Sequence, residues 1–296
     1  MESVLKVENL QKTYGQYVAL SDINFEIRPS TIVGLLGKNG AGKTTLIKTI
    51  LGLFRKYEGK IIYKGKLIEH SNPMVMNSIG SLVDVSFFDD LSAYDNLRLL
   101  MMITPGKEKR KCRNEISDLL ELVGLKDHMN DKVKSFSFGM KQRLALAQAF
   151  MPRADLLILD EPFVGLDPIG IEIVKEKIVS LCKENGTSVI FSSHQLAEVA
   201  ELSEEIIAIS SGKMIYSGTY DSLVESNKKY KIVLNTEFAN EEEMKGMLIT
   251  GENPNEVLID YQKQNLNQCM KQILQFGYVI KDIQILDNPL IALFKE

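Results

Sequence analysis

Residues 31 to 46 read TIVGLLGKNGAGKTTL. Thr31 to Leu36 is an almost continuous apolar run, suited to a strand buried on both faces. Gly37 to Thr44, GKNGAGKT, then matches G-x-x-x-x-G-K-[ST] in full. Its context fits as well, because a strand precedes it and a helix is expected to begin near Gly42. Glycines here let backbone N–H groups converge on phosphate oxygens with no Cβ in the way. The helix N-terminus adds partial positive charge. Lys43 supplies a point charge for the β- and γ-phosphates, and Thr44 a hydroxyl for Mg²⁺.

A second segment reinforces the first. Residues 155 to 161 read DLLILDE. Four apolar residues form a buried strand ending on Asp160 and Glu161. The first acid suits a Mg²⁺ held through water; the second suits orienting, or taking a proton from, an attacking water. Such a pair alone is usually a solvated loop start. Downstream of a phosphate loop it reads as chemistry.

Composition narrows the class. The chain has 296 residues, 45% hydrophobic and 25% charged, an ordinary globular profile for one large or two modest domains. Its net charge of −4 gives no reason to expect nucleic acid as partner. No apolar run approaches the ~18 residues that span a bilayer. MESVLKVENL at the N-terminus lacks the basic and apolar blocks of a secretory signal. Cys112, Cys182 and Cys269 are far apart and odd in number, with no metal-ligand spacing and no disulfide framework. A reduced cytosolic compartment is expected.

Along the chain, strand patterns fall at 4–9, 24–28, 31–36, 60–64, 79–83, 156–160, 188–192, 205–209 and 213–216. Helical patterns fall at 92–103, 108–123, 138–150, 169–184 and 195–201. The stretch after 86 is helical and reads as an inserted subdomain. Strands alternating with helices on either side argue for an α/β fold. After Gly218 the texture changes to strand, helix (241–248), strand, helix (266–276), strand and a short terminal helix. Residues 228–296 are therefore expected to be a small α+β accessory domain, behind a linker at SNKK, 226–229.

Residues 135 to 143 read SFSFGMKQR. With GKNGAGKTT and LLILDEP, in this order, they make residues 1 to about 220 resemble the nucleotide-binding subunit of an ATP-binding cassette (ABC) transporter. The resemblance implies a P-loop ATPase core over residues 1–222, with an N-terminal antiparallel β part and a helical subdomain at about 86–150. It implies ATP and Mg²⁺ as cofactors, and ATP held by Gly37, Lys38, Asn39, Gly40, Ala41, Gly42, Lys43, Thr44 and Thr45. It casts Lys43, Glu161 and His194 as catalytic and Thr44 and Asp160 as metal ligands. Tyr14 resembles the aromatic that stacks on adenine, with Tyr17 its competitor. Ser137 and Gly139 resemble the signature loop that caps the γ-phosphate of a second subunit, and Ser137 also reads as a helix N-cap. Asp167 resembles the loop through which subunits sense each other; as Asp-Pro it also reads as a helix cap. His194, in FSSHQ, resembles the switch histidine. The sequence departs from the family at Lys38, at Phe163-Val164, and at Phe136 and Phe138, which are expected to give the signature serine a greasy rim.

One departure bears on the metal. In the family the strand before the helical insert ends in Gln; IGSLVD puts Asp84 there. The chain is similar to exporters of bacitracin-like and lantibiotic-like peptides, which carry Glu at this place. A carboxylate is a harder Mg²⁺ donor than an amide but cannot donate a hydrogen bond, and γ-phosphate repels it unless Mg²⁺ intervenes. Asp84 is expected to act as a metal ligand or sensor, the bland alternative being a diverged surface residue. Phe87, Phe88, Leu91 and Tyr94 follow, either as a surface for a helix of a membrane subunit or as the insert's own core.

The resemblance thus implies a cytosolic ATPase at the inner face of the membrane. It would dimerise with a like or unlike ATPase subunit and power export through a separate integral-membrane subunit. The competing reading is a soluble ABC ATPase acting on ribosomes or nucleic acid. Fractionation with ribosomes rather than membrane would favour it.

Overall fold

A computed structural model describes residues 3–54, 56–68, 78–103, 112–151, 154–227, 229–237, 249–250, 253, 255–260, 266–285, 290 and 293–294. By internal contact the chain divides into two compact units, Met1–Ser217 and Gly218–Glu296.

In the first unit, strands β1 (Leu5–Tyr14), β2 (Tyr17–Ile27), β4 (Glu58–Tyr63) and β5 (Lys66–Leu67) form a four-stranded sheet in the order β2-β1-β4-β5. Its β1–β2, β1–β4 and β4–β5 pairs are antiparallel. This is the expected N-terminal β part. Both opening strands run longer than their sequence patterns. Register shifts in β1 after Val7, Leu10 and Lys12 break the alternation that marks a strand, and Asn9 and Asp22 sit at positive φ, 49° and 51°.

The second sheet has six strands in the order β10-β9-β3-β8-β7-β6. They are β3 (Ile32–Leu36), β6 (Ile79–Leu82), β7 (Leu156–Leu159), β8 (Ser188–Ser193), β9 (Glu205–Ser210) and β10 (Lys213–Thr219). The ladder from β6 through β7, β8 and β3 to β9 is parallel throughout. Every residue of β3, β7 and β8 is buried; β3 and β7 are accordingly apolar without alternation, while β8 (SVIFSS) buries serines at both ends. Ser211 and Gly212, both at positive φ, make the two-residue turn from β9 to β10. Gly34 lets β3 approach its neighbours: a Cβ there would lie 2.4 Å from Ser203 Oγ and 2.7 Å from Val199 Cγ1.

Among the described residues, helices α1 (Lys43–Ile50), α2 (Ala93–Ile103), α3 (Cys112–Leu122), α4 (Phe138–Phe150), α5 (Pro168–Asn185) and α6 (Leu196–Leu202) accompany these sheets. Between α2 and α4 the described residues hold helices, two short 3-10 turns and a single bridge, Ser92 to Lys132. The expected start of α3 at 108 lies outside the described residues. Leu46, Ile47 and Ile50 of α1 join the core that links the two sheets.

In the second unit, helix α7 (Tyr220–Asn227) precedes β11 (Lys229–Leu234), β12 (Ile249–Thr250), β13 (Glu256–Asp260), α8 (Leu266–Gln275) and β14 (Ile280–Ile285). The antiparallel sheet runs β12-β13-β11-β14. Cys269 and Ile273, on one face of α8, pack with Ile232, Leu234, Val257 and Ile259. The expected domain boundary, between 222 and 228, falls within α7. Of the expected linker, residues 226–227 end that helix, residue 228 lies outside the described residues, and Lys229 opens β11; Ser222 N donates to Thr219 Oγ1 at 3.2 Å. The helix expected at 241–248 lies outside the described residues, as does most of the expected terminal one.

Candidate active site

Candidate side chains gather at one edge of the parallel sheet because four neighbouring strands end there. From β3 the chain enters the phosphate loop, from β8 it reaches His194, from β7 Asp160 and Glu161, and from β6 Asp84. Open α/β sheets hold ligands at this carboxyl edge.

The loop turns tightly, with Ala41 N donating to Lys38 O at 3.0 Å. Gly40 and Gly42 take left-handed φ values of 81° and 111°. At Gly40 a Cβ would meet only open space, whereas at Gly42 it would lie 2.9 Å from Leu20 Cδ2 and 3.1 Å from Ala19 O. Lys43 is buried, and its Nζ donates to Gly37 O at 2.7 Å. Over the loop lies a cleft of about 250 Å³, lined by Tyr14, Tyr17, Ala19, Lys38 through Thr45, and Glu161.

Tyr14 and Tyr17 face each other across the β1–β2 turn. They are not equally held. Tyr14 packs edge-on against Phe54 at 5.8 Å between centroids, and the Lys12 ammonium sits 4.9 Å over its ring. Lys12 is itself buried and donates to Lys56 O at 2.6 Å. Tyr17 is 64% exposed. An anchored ring costs less to order against a base than a free one.

The acids form one connected network. Thr44 Oγ1 donates to Asp160 Oδ2 at 2.7 Å, and Ser192 Oγ donates to Asp160 Oδ1 at 2.6 Å. The same hydroxyl accepts the Glu161 amide at 2.9 Å. Glu161 itself takes φ 48°, rare for a residue with a Cβ. Its carboxylate lies between Lys43 Nζ, 3.3 Å from Oε1, and His194 Nδ1, 2.9 Å from Oε2. Behind His194, Ser193 Oγ donates to buried Glu198, whose carboxyl is held above the ordinary range chiefly by burial.

Asp84, at φ 43°, pairs its carboxylate with Lys48 of α1. Phe88 is 66% exposed, and its backbone is pinned from both sides by the buried Asn96: Phe88 N donates to Oδ1 at 2.9 Å, and Nδ2 donates to Phe88 O at 3.1 Å. Phe87, Leu91 and Tyr94 are half-buried.

Ser137, Gly139 and Asp167 do not line the cleft. They form a separate patch. Ser137 Oγ caps α4 by accepting Met140 N at 3.2 Å. A Cβ on Gly139 would lie 2.6 Å from Gly165 O, and one on Gly165 2.7 Å from the Phe138 ring. Asp167 sits at the N-cap position of α5 without capping it, and pairs with Arg143 instead. Phe138 is exposed, but Phe136 is buried and meets His128 edge-on, so only one phenylalanine of the expected rim is at the surface. Phe163 is likewise buried, packed against Phe191.

Two polar connections were not anticipated from sequence. Ser192 is the hydroxyl that ties Asp160 to Glu161, and Gln142 Nε2 donates to Glu161 O at 3.3 Å and Pro162 O at 3.4 Å. A serine at the end of a buried strand whose neighbour ends on acids was the available signal for the first. The second depends on how α4 lies.

The residues fit a nucleoside triphosphate: a glycine loop at a helix N-terminus, a buried lysine and an anchored ring. Thr44 and Asp160 are hard oxygen donors suited to a divalent cation. The profile of the ABC transporter family matches residues 20–164, which contain the phosphate loop and both acids. The chain is 38% identical over 231 residues to the bacitracin transport ATP-binding protein BcrA of Bacillus licheniformis, covering 78% of this chain and 74% of that one. It is 39% identical over 219 residues to the lantibiotic transport ATP-binding protein SrtF of Streptococcus pyogenes, covering 74% and 92%. A solved ATP-binding subunit of an ABC transporter superposes with a TM-score of 0.70 at 28% identity, covering 75% of this chain and 92% of that one. Identity at this level over most of both chains, together with the geometry around Glu161, settles the kinship: the chain belongs to the ABC transporter family and is one of its ATP-binding ATPase cassettes.

Proposed function

We propose that the chain is the ATP-hydrolysing subunit of an exporter for a peptide, antimicrobial or drug, acting through a separate membrane subunit. The observation that carries its chemistry is the placement of the Glu161 carboxylate between Lys43 and His194. The cargo class follows the names of the bacitracin and lantibiotic relatives. Among the described residues no helix is long and apolar enough to cross a membrane. The proposed location is the cytoplasmic, inner face of the membrane.

Tyr14 stacks on adenine, and the phosphate-loop amides with Lys43 hold the phosphates. Glu161 orients the attacking water and takes its proton as the water oxygen bonds the γ-phosphorus and the bond to the β-phosphate oxygen breaks. His194 keeps Glu161 in position and reaches the γ-phosphate from the end of β8. Lys43 exchanges its resting partner Glu161 for phosphate oxygens. Thr44 and Asp160, with Asp84 on the same sheet edge, would hold a Mg²⁺, which would supply charge neutralisation at the phosphates. Ser137 and Gly139, at the N-terminus of α4, meet ATP carried by a second subunit, like or unlike this one. Two nucleotides are then sandwiched head to tail, and Asp167 reports closure. Phe88, exposed on a pinned loop, faces the membrane subunit.

The test is Glu161→Gln in the purified chain with Mg²⁺ and ATP. Turnover is expected to fall at least about 100-fold. ATP still binds, and an ATP-dependent dimer accumulates on size exclusion. Unchanged turnover would overturn the assignment.

A further inference from the structure

Asp84 follows β6 at the sheet edge that carries the glycine loop, outside the residues that line the cleft, and its carboxylate has a specific partner. The Asp84 carboxylate forms an ion pair with Lys48. Lys48 lies on α1 four residues after Thr44, so the two side chains share one face of the helix. Thr44 already touches Asp160. Asp84 and Asp160 follow adjacent parallel strands: Leu82 is in register with Leu159, so Asp160 comes one residue after its strand and Asp84 two residues after its own, and Asp160 N donates to Leu82 O at 2.9 Å. Lys48 thus meets Asp84 from α1 just beyond the end of β6. The Asp84 backbone is turned to φ 43°, a left-handed conformation that Asp tolerates better than most residues with a Cβ. The Lys48 side chain is mostly covered, at 21% exposure, whereas that of Asp84 is 67% exposed, so the pair is shielded from solvent on the lysine side only.

We propose that Lys48 is the positioning residue for Asp84. It cancels the carboxylate's charge and holds it at the metal-side edge, so that an acid can occupy this place without repelling the nucleotide. The inference rests on the ATPase reading and on Asp84 acting beside the metal. A lysine in the last turn of α1 also favours the helix C-terminus, but that effect is indifferent to residue 84. The ion-pair role is not.

The experiment is a double-mutant cycle in the full chain, read by mant-ATP binding with and without Mg²⁺ and by turnover. Lys48→Met alone is expected to weaken mant-ATP binding about tenfold, more without Mg²⁺ than with it, as like charges left uncompensated require. In the Asp84→Asn background the same substitution is expected to change binding less than about twofold, since no charge remains to cancel. Lys48→Arg, which keeps the cation, is expected to restore binding and guards against a folding artefact. Equal weakening by Lys48→Met in both backgrounds overturns the inference while leaving the Asp84 reading intact. If Asp84→Asn by itself alters neither Mg²⁺ dependence nor turnover, the Asp84 reading fails, and the role of Lys48 with it.

Discussion

His194 Nδ1 stands 2.9 Å from Glu161 Oε2. The histidine leaves β8 and the acid leaves β7, so the pairing reports the parallel register of those strands, Leu159 opposite Phe191. It gives the proposed base an orienting partner. His194→Ala is expected to lower kcat by about 10²–10⁴ with a smaller change in KM. Steady-state ATP turnover measures it; a kcat within about twofold of the parent would remove His194 from the mechanism.

Ser192 holds both acids, donating to Asp160 and accepting from the Glu161 amide. It is fully buried, so the groups it leaves behind cannot turn to water. Ser192→Ala is expected to cost about 1–3 kcal/mol in denaturant-measured stability and to lower kcat. Ser192→Thr keeps a hydroxyl and should recover part of both. Parent-like stability and rate in the alanine variant would contradict the network.

Gln142 reaches the Glu161 and Pro162 carbonyls from α4, whose first turn carries Ser137 and Gly139. Gln142→Ala is expected to lower kcat by about tenfold while mant-ATP affinity holds, because it loosens the backbone under the base and not the phosphate loop. Weakened nucleotide binding with unchanged kcat would be the opposite result.

Glu198 is buried, and its carboxyl is raised above the ordinary range by that burial, partly offset by Ser193. The folded state therefore binds a proton more tightly here than the unfolded chain. This contribution is fully present below the ordinary carboxylate range and is lost as pH rises through the raised value. Glu198→Gln is expected to remove that loss, so its thermal midpoint gains on the parent as pH climbs through the window. Parallel stability curves for the two proteins across that window would rule this out.

Much of the first unit was legible locally. Thr31 to Leu36 announces a strand buried on both faces, and β3 is buried from end to end. The β1 and β2 strands were only half legible, since bulges interrupt the period on which a strand is recognised. Phe136 and Phe163 could not be separated from Phe138 by pattern. Which of the three phenylalanines is covered depends on tertiary contacts, Phe136 with His128 and Phe163 with Phe191 of a neighbouring strand.

By itself, the sequence determined the glycine loop between β3 and α1, because its left-handed turns at Gly40 and Gly42 are fixed within eight residues. It also determined that Asp160, Glu161 and His194 end buried strands, because burial is written in runs of apolar side chains. Only the tertiary structure decided that those strands lie side by side as β3, β8, β7 and β6. That order brings Ser192 between the two acids and Lys48 against Asp84. Strand order is set by the packing of whole faces, so a site assembled across it is not contained in any one stretch of chain.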